Sequence, residues 1–389
     1  MQKKRRPYKG IKKKYIIIPA ATLGAVLILY LTAIFAPIPF VVKWRDIWIE
    51  TAMTTADHQW LATAFIPKFI IDRVMEKKNT TSDVIGGGDH LNGSDKSDGT
   101  KVPDYPVTEP DDTTSGLPDT PKVPDEDDKD DILGQKKLKV GDTDYAGYRV
   151  LVNDIDEGIV ISEITGDGYR GKIMLIDDPS RVYLGTTTMK NEEGLRIKAM
   201  MKHYGAVAGI NASGFADPND SGTGGEVMGM SYDGEFWGEY VDFYGSILIT
   251  SDDRLVVGNV KDWDKYDIRA GIQFGPVLIA DGKAAIEGTG GYGIQPRTAI
   301  GQREDGVIVF LVIDGRKVGW SLGCTMDDLI SILTKYEVVN AACCDGGSSS
   351  VLAYKGEVIT KNSSLNPDFG RRLPNAFLVK PKEKSSAAG

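Results

Sequence analysis

Histidine and cysteine are scarce, three of each among 389 residues. His58 and His90 precede the stretch that reads as a folded domain, which leaves only His203 inside it. A Ser-His-Asp machine needs an imidazole within hydrogen-bond reach of its serine. His203 sits beside Tyr204 late in a helical stretch, where a solvent-facing helix-end residue is expected. A histidine-rich zinc site is excluded by count, and Cys343 and Cys344 are adjacent rather than at C-x-x-C spacing. Three cysteines cannot all pair internally. Cys324, Cys343 and Cys344 read as small buried residues, with a bridge from Cys324 to Cys343 or Cys344 as the sharper option. No basic patch stands out beyond the N-terminus, so a nucleic-acid partner is not expected. No cofactor is evident, and a divalent cation has no ligand set to support it.

One stretch lacks charge altogether. Residues 1–14 carry eight basic side chains and no acid, and 15–42 then run 28 residues without a charge. About 20 apolar residues suffice to cross a bilayer, so 15–42 are expected to be a transmembrane helix, with Pro37 and Pro39 at its outer end. The lysines and arginines place the N-terminus in the cytoplasm and the rest outside. Residues 43–79 space Trp44, Ile47, Trp48, Trp60, Leu61 and Ala64 as an amphipathic segment, which either lies along the membrane or packs on the domain. Apolar residues are then sparse from 80 to 135. Between Thr80 and Asp131 stand 15 acids against four lysines, a net of −11. Such a tract cannot bury enough surface to order itself and reads as a disordered acidic linker. The net charge of −9 therefore lies largely in the spacer and says little of any substrate.

Residues 136–384 have the composition of a folded domain, with a short tail at 385–389. Runs such as "YRVLVNDI", "GKIMLI" and "GVIVFLVID" alternate with D-G and K-G turns, which predicts a strand-rich, mixed α/β domain of the α+β kind with a few packed helices. One helix is expected near 190–203. The other is "TMDDLISILTKY", with Thr325 and Asp328 as a capping box. Each is followed by an apolar run that ends in a polar, glycine-containing loop, the first reaching Asn211 and the second Asp345. Strand ends of this kind gather ligand-binding loops.

The chemistry must then come from carboxylates, arginines, amides and backbone. Asp345 leads into Gly346, Gly347, Ser348 and Ser349, where glycines admit a close ligand and N–H and O–H donors can meet an anion. By itself, D-G-G is more often a tight turn. Arg297, Arg371 and Arg372 are the candidate phosphate or carboxylate partners, because a guanidinium fork matches two oxygens. Asp314 is a second carboxylate. "DPNDSGTGG" places Asp217, Asn219 and Ser221 as in a calcium loop, but Met228 stands where the twelfth-position glutamate belongs, and it reads as a plain loop.

Taken in order, "INASGF", "FGPVLIADG", "PRTAIG", "VFLVIDGR", "NAACCDGGSSSVLAY" and "FGRRLPNAFLV" resemble the phosphodiester glycosidase family, over roughly residues 205–380. Asn211 and Phe215 match an N-G-G-F-F loop in which Ala212 and Ser213 replace glycines. Arg297 and Thr298 match P-R-T, Asp314 and Gly315 match D-G-R, and Asp345 to Ser349 match D-G-G-G-S-S with Ser348 at a usual glycine. Arg371 matches the arginine four residues before the final N-A pair and is preferred to Arg372. Two cysteines replace the usual N-L before the aspartate. The resemblance implies hydrolysis of sugar-1-phosphodiesters; with the expected transmembrane helix, the chain would be a membrane-anchored extracytoplasmic hydrolase acting on a carbohydrate phosphodiester or glycopolymer of the cell wall or exopolysaccharide. Asp345 would be base or nucleophile, with Asp314 the alternative carboxylate. Arg297 and Arg371 would bind the phosphoryl oxygens, and Asn211 the sugar or phosphate. Phe215, Thr298, Gly346, Gly347, Ser348, Ser349 and Arg372 would line the site. Two other readings stand beside it: a non-catalytic glycopolymer-binding or scaffold protein, and a serine hydrolase pairing Ser348 or Ser349 with a lysine such as Lys355.

Overall fold

The computed structural model describes residues 14–55, 58–76, 84–87, 131–217, 222–364 and 370–383. They divide into two compact units, the first comprising residues up to 78 with 291–293 and the second the remainder.

In the first unit the apolar run is not one helix. α1 spans Lys14–Phe35 and α2 begins at Pro39 and ends at Met53. The break is a proline effect: Pro37 and Pro39 lack the N–H an uninterrupted helix needs, and Pro39 stands in the first turn of α2, where that loss costs nothing. Among the described residues no single helix is long and apolar enough to cross a membrane, but Thr22–Phe35 and Pro39–Met53 qualify together, bent by 81°. α3 (Trp60–Thr63) and α4 (Lys68–Met75) follow. Ile34, Ile49, Ala62, Ile66, Ile70 and Val74 form this unit's own buried cluster. Trp44, Trp48, Trp60 and Phe69 stay exposed on its outside.

The second unit is strand-rich α+β, as the composition predicts. Its strands of three residues or more begin with β1 (Arg149–Asp154), β2 (Ile159–Gly166), β3 (Tyr169–Ile176), β4 (Val182–Thr186) and β5 (Ala208–Asn211). β6 (Gly245–Thr250), β7 (Leu255–Gly258), β8 (Ile268–Phe274), β9 (Val277–Ala280) and β10 (Arg297–Arg303) follow. β11 (Ile308–Ile313), β12 (Val338–Cys344), β13 (Leu352–Tyr354) and β14 (Asn375–Val379) complete the set. All named pairings are antiparallel. An eight-stranded sheet runs from the two-residue edge strand Lys283–Ala284 through β9, β12, β10, β11, β3, β2 and β1. A five-stranded sheet holds β13, β5, β14 and β4, and a six-stranded sheet is centred on β7, β6 and β8.

Side chains on alternate positions of a strand share a face, and here those faces meet in one core. Met174, Ile300, Phe310 and Val312 of the large sheet pack with Ile210, Leu352 and Phe377 of the five-stranded sheet and Ile247, Val257 and Ile272 of the six-stranded one. α5 (Ile197–Tyr204) covers the other face of the five-stranded sheet through Met200 and Met201. α6 (Met326–Lys335) lies on β12 and β9 and carries the expected Thr325–Asp328 capping box.

One boundary moves. The first helix starts at Ile197, not Lys190, because residues before it are held in bridges, Met189 to Glu193 and Leu195 to Leu373. The stretch 80–135, expected as an acidic linker, contains described residues near both ends. Ile85 and Gly86 pair with β7, and the Asp131 carboxylate accepts the N–H groups of Gln135 and Lys136. Residues 88–130, which hold most of that expected linker, lie outside the described residues.

Candidate active site

β5 and β12 end at the same rim of the molecule. The Asp345 N–H donates to the Ala212 carbonyl at 2.9 Å, which joins the loop after β12 to the loop after β5. Asn211 welds them further. Its Nδ2 donates to the Asp345 carbonyl at 2.6 Å, and its Oδ1 accepts the Thr298 hydroxyl at 2.8 Å and the Val351 N–H at 3.0 Å. Asn211 and Thr298 are both fully buried. They brace the loop that bears Asp345.

Beyond Asp345 the chain turns through a short 3-10 segment, Gly347–Ser349. The two glycines are required. A Cβ on Gly346 would stand 2.9 Å from the Pro296 carbonyl oxygen, and Gly347 adopts φ +59°, a left-handed conformation that side chains resist. The Gly347 N–H donates to the Pro296 carbonyl and the Ser349 N–H to that of Gly346. The Gly346 N–H meets the Asp345 carboxylate. Three of the four backbone donors expected to aim at an anion are thus engaged inside the protein.

Asp345 keeps some solvent contact, but its carboxylate is closely surrounded. Burial pushes it from 3.8 up to about 6, while the Ser349 hydroxyl, the Arg371 guanidinium, the Gly346 N–H and the Arg316 guanidinium hold it from rising further. Arg371 is itself placed by three contacts. It pairs with Asp217, lies 4.6 Å over the Phe215 ring and reaches the Ser348 hydroxyl at 3.4 Å. The calcium-loop candidate Asp217 is thereby an anchor for the arginine. Arg372 turns away, bridging to Glu193 at 2.9 Å.

Two other expected members are engaged with other groups. Arg297 is buried on β10, and its charge acts on Cys324 and Cys343. Thr298 has its side chain on the core face of the sheet, so Arg297 belongs to the opposite face, the one α6 covers. Alternation along the strand accounts for this displacement. Asp314 is buried and its carboxylate is occupied, Oδ2 by the Trp320 indole N–H at 2.8 Å and Oδ1 by the Lys361 N–H at 2.9 Å. The cysteines are free and buried. Burial raises all three thiols, that of Cys343 to about 12. Lys355 pairs with Asp154 at 2.5 Å in a separate surface cleft of about 450 Å³ that neither Ser348 nor Ser349 lines, which leaves the serine-lysine reading without its base.

Two residues that the sequence reading passed over complete the site. Arg316, last residue of "VIDGR", takes φ +57° and donates to Gln295 Oε1 at 2.7 Å. Its Nη2 is 3.4 Å from where a Gly347 Cβ would be. Tyr244 stacks on Phe274 with ring centroids 5.3 Å apart. Burial raises its phenol, with the Asp345 charge adding to the effect. The arrangement is one carboxylate poised near neutrality, flanked by two guanidiniums and walled by aromatic rings.

Residues 204–380 match the family model of the phosphodiester glycosidases. Over 200 residues the chain is 32% identical to the SPbeta prophage-derived uncharacterized protein YomE of Bacillus subtilis (strain 168), covering 48% of this chain and 29% of that one. The chain thus spans under a third of the length of this curated relative. Among solved structures, the catalytic domain of zebrafish N-acetylglucosamine-1-phosphodiester alpha-N-acetylglucosaminidase, auto-inhibited by its pro-peptide, aligns with a TM-score of 0.47 and 19% identity over 58% of this chain and 82% of that chain. A hypothetical protein from Synechocystis aligns at 0.42 and 14% identity, over 60% and 63%.

Proposed function

We propose that the second unit hydrolyses a sugar-1-phosphodiester, of the GlcNAc-1-phosphodiester kind, to the free sugar and a phosphomonoester. The observation that carries this reading is Asp345 set beside the Arg371 and Arg316 guanidiniums, with burial pushing its carboxyl up to about 6. The match of residues 204–380 to the phosphodiester glycosidase family model supports the reaction class.

In the mechanism, the oxygen of a water forms a bond to the anomeric carbon. The bond from that carbon to the phosphate oxygen breaks, and its electron pair leaves with the phosphate. Asp345 takes the proton of the attacking water. A phosphate departs more easily than a sugar alkoxide, so the general acid of ordinary glycosidases is less needed. Arg371 and Arg316 offset the charge that grows on the departing group, and the Ser348 hydroxyl lies beside Arg371 to hold an oxygen. The Tyr244 and Phe274 rings offer an apolar wall for one face of the sugar.

We also infer that the chain is membrane-anchored, with its N-terminus in the cytoplasm and the second unit outside. Eight basic residues preceding 28 uncharged ones support this, and the bent helix pair supplies the apolar length. The glycopolymers of the cell envelope are then the substrates within reach.

The purified full-length chain is offered an α-GlcNAc-1-phosphodiester, and free sugar is measured. Asp345→Asn should lower kcat by about 10²–10⁴. Wild-type turnover in that variant sinks the assignment, and saturable binding by the wild type without product would favour a glycopolymer-binding protein instead.

A further inference from the structure

Three strands beyond Asp345, the same rim of the large sheet carries a second cationic group. Register partners follow one another across the sheet: Cys344 opposite Thr298, Thr298 opposite Val312, Val312 opposite Lys172, and Lys172 opposite Glu163. Directly opposed residues share a face, so Lys172 stands on the face of Cys344 and Thr298, three inter-strand steps away, or about 14 Å. Arg170 is two residues along β3 on that face. Trp320 fixes the cations: the Lys361 ammonium lies 3.3 Å from its ring centroid and the Arg170 guanidinium 4.7 Å.

Among the described residues, Asp314 and Glu163 are the acids that act on Lys172. Asp314 is spent on Trp320 and the Lys361 N–H, and Glu163 approaches Arg170 no closer than 3.9 Å. Arg170 and Lys361 are exposed, and Lys172 is partly buried. Burial pulls the Lys172 ammonium below its usual range, as expected of a cation short of solvent and of a full counter-charge. No single phosphate spans about 14 Å.

We propose that Arg170, Lys172 and Lys361 form a second anion subsite, which takes a further phosphate of a polymeric glycosyl-phosphodiester substrate while Arg371 and Arg316 hold the one being cut. The subsite rests on the reaction proposed above, and it names that reaction's substrate class as a chain of repeating phosphodiesters.

The test compares the full-length protein with the double variant Arg170→Gln/Lys361→Gln. Two substrates are used, a single-unit α-GlcNAc-1-phosphodiester and an oligomer of repeating glycosyl 1-phosphodiester units. The ratio of kcat/KM for the oligomer over that for the single unit should fall about tenfold in the double variant, and the difference should shrink in high salt. An unchanged ratio overturns the subsite. Should the wild type cut neither substrate, the reaction falls, and calorimetric binding of the intact oligomer decides the subsite: weaker binding by the double variant upholds it, and equal binding refutes it.

Discussion

Asp345 is where function and stability pull against each other. Its carboxyl sits near 6 in the folded protein against 3.8 for the free side chain, so the folded state binds the proton more tightly than the unfolded one. The destabilisation is absent below pH 3.8, grows as pH rises toward 6, and is complete above it. It is worth on the order of 2 kcal/mol, allowing for the residue's partial solvent contact. Asp345→Asn should therefore raise the melting temperature at pH 8 and leave it nearly unchanged at pH 3.5, while abolishing hydrolysis. Catalysis by the carboxylate form requires kcat/KM to climb with pH to half its plateau near 6. Arg371 lowers this pKa, so Arg371→Ala should move the midpoint upward; a midpoint that stays or falls rejects the contact. That Arg371, and not Arg372, lies near Asp345 was legible in the order of motifs. Arg316 and Tyr244 were not: one follows a turn whose positive φ decides where its side chain points, and the other comes from the loop before β6, far away in sequence.

At the scale of elements, Asn211 fastens three pieces of chain: the end of β5, Thr298 of β10 and the turn running from Asp345 to Val351. Replacing it by alanine leaves the buried Thr298 hydroxyl and Val351 N–H without their acceptor, at a cost of about 3 kcal/mol. Urea unfolding of Asn211→Ala should show that loss, with activity falling as well because the Asp345 carbonyl loses its donor; unchanged stability would refute the weld. Periodicity foretold the strands and α6, whose capping box is written in "TMDD". It could not say which face of β10 met the loops. Arg297 and Thr298 are neighbours in sequence, yet one points toward the cysteines under α6 and the other into the core, and only the register of β12 against β10 decides which. The helix expected from Lys190 is shortened for a related reason: Leu195 pairs with Leu373, which no local pattern announces.

For the whole molecule, the charges are sorted along the chain. Basic residues crowd 1–14, none occur in 15–42, and acids dominate 80–131, where Lys96, Lys101, Lys122 and Lys129 are the only cations. Composition therefore made the order of segments readable, but not the division of the apolar run at Pro37 and Pro39 into helices bent by 81°. A bent pair with Trp44, Trp48 and Trp60 exposed suits a membrane interface, where tryptophan is favoured. If the helices are embedded, the protein stays with membranes through alkaline carbonate extraction. If the acidic tract is solvated outside, trypsin added to intact cells cuts at its lysines and releases a soluble fragment that begins just ahead of Asp131 and carries the whole Asp345 site. That fragment should cleave the single-unit phosphodiester as fast as the anchored protein. Its activity on polymer fixed in the envelope should change, because a tethered enzyme meets immobilised chains at the effective concentration its tether sets. Extraction into carbonate, or a chain that trypsin reaches only after lysis, rejects this topology.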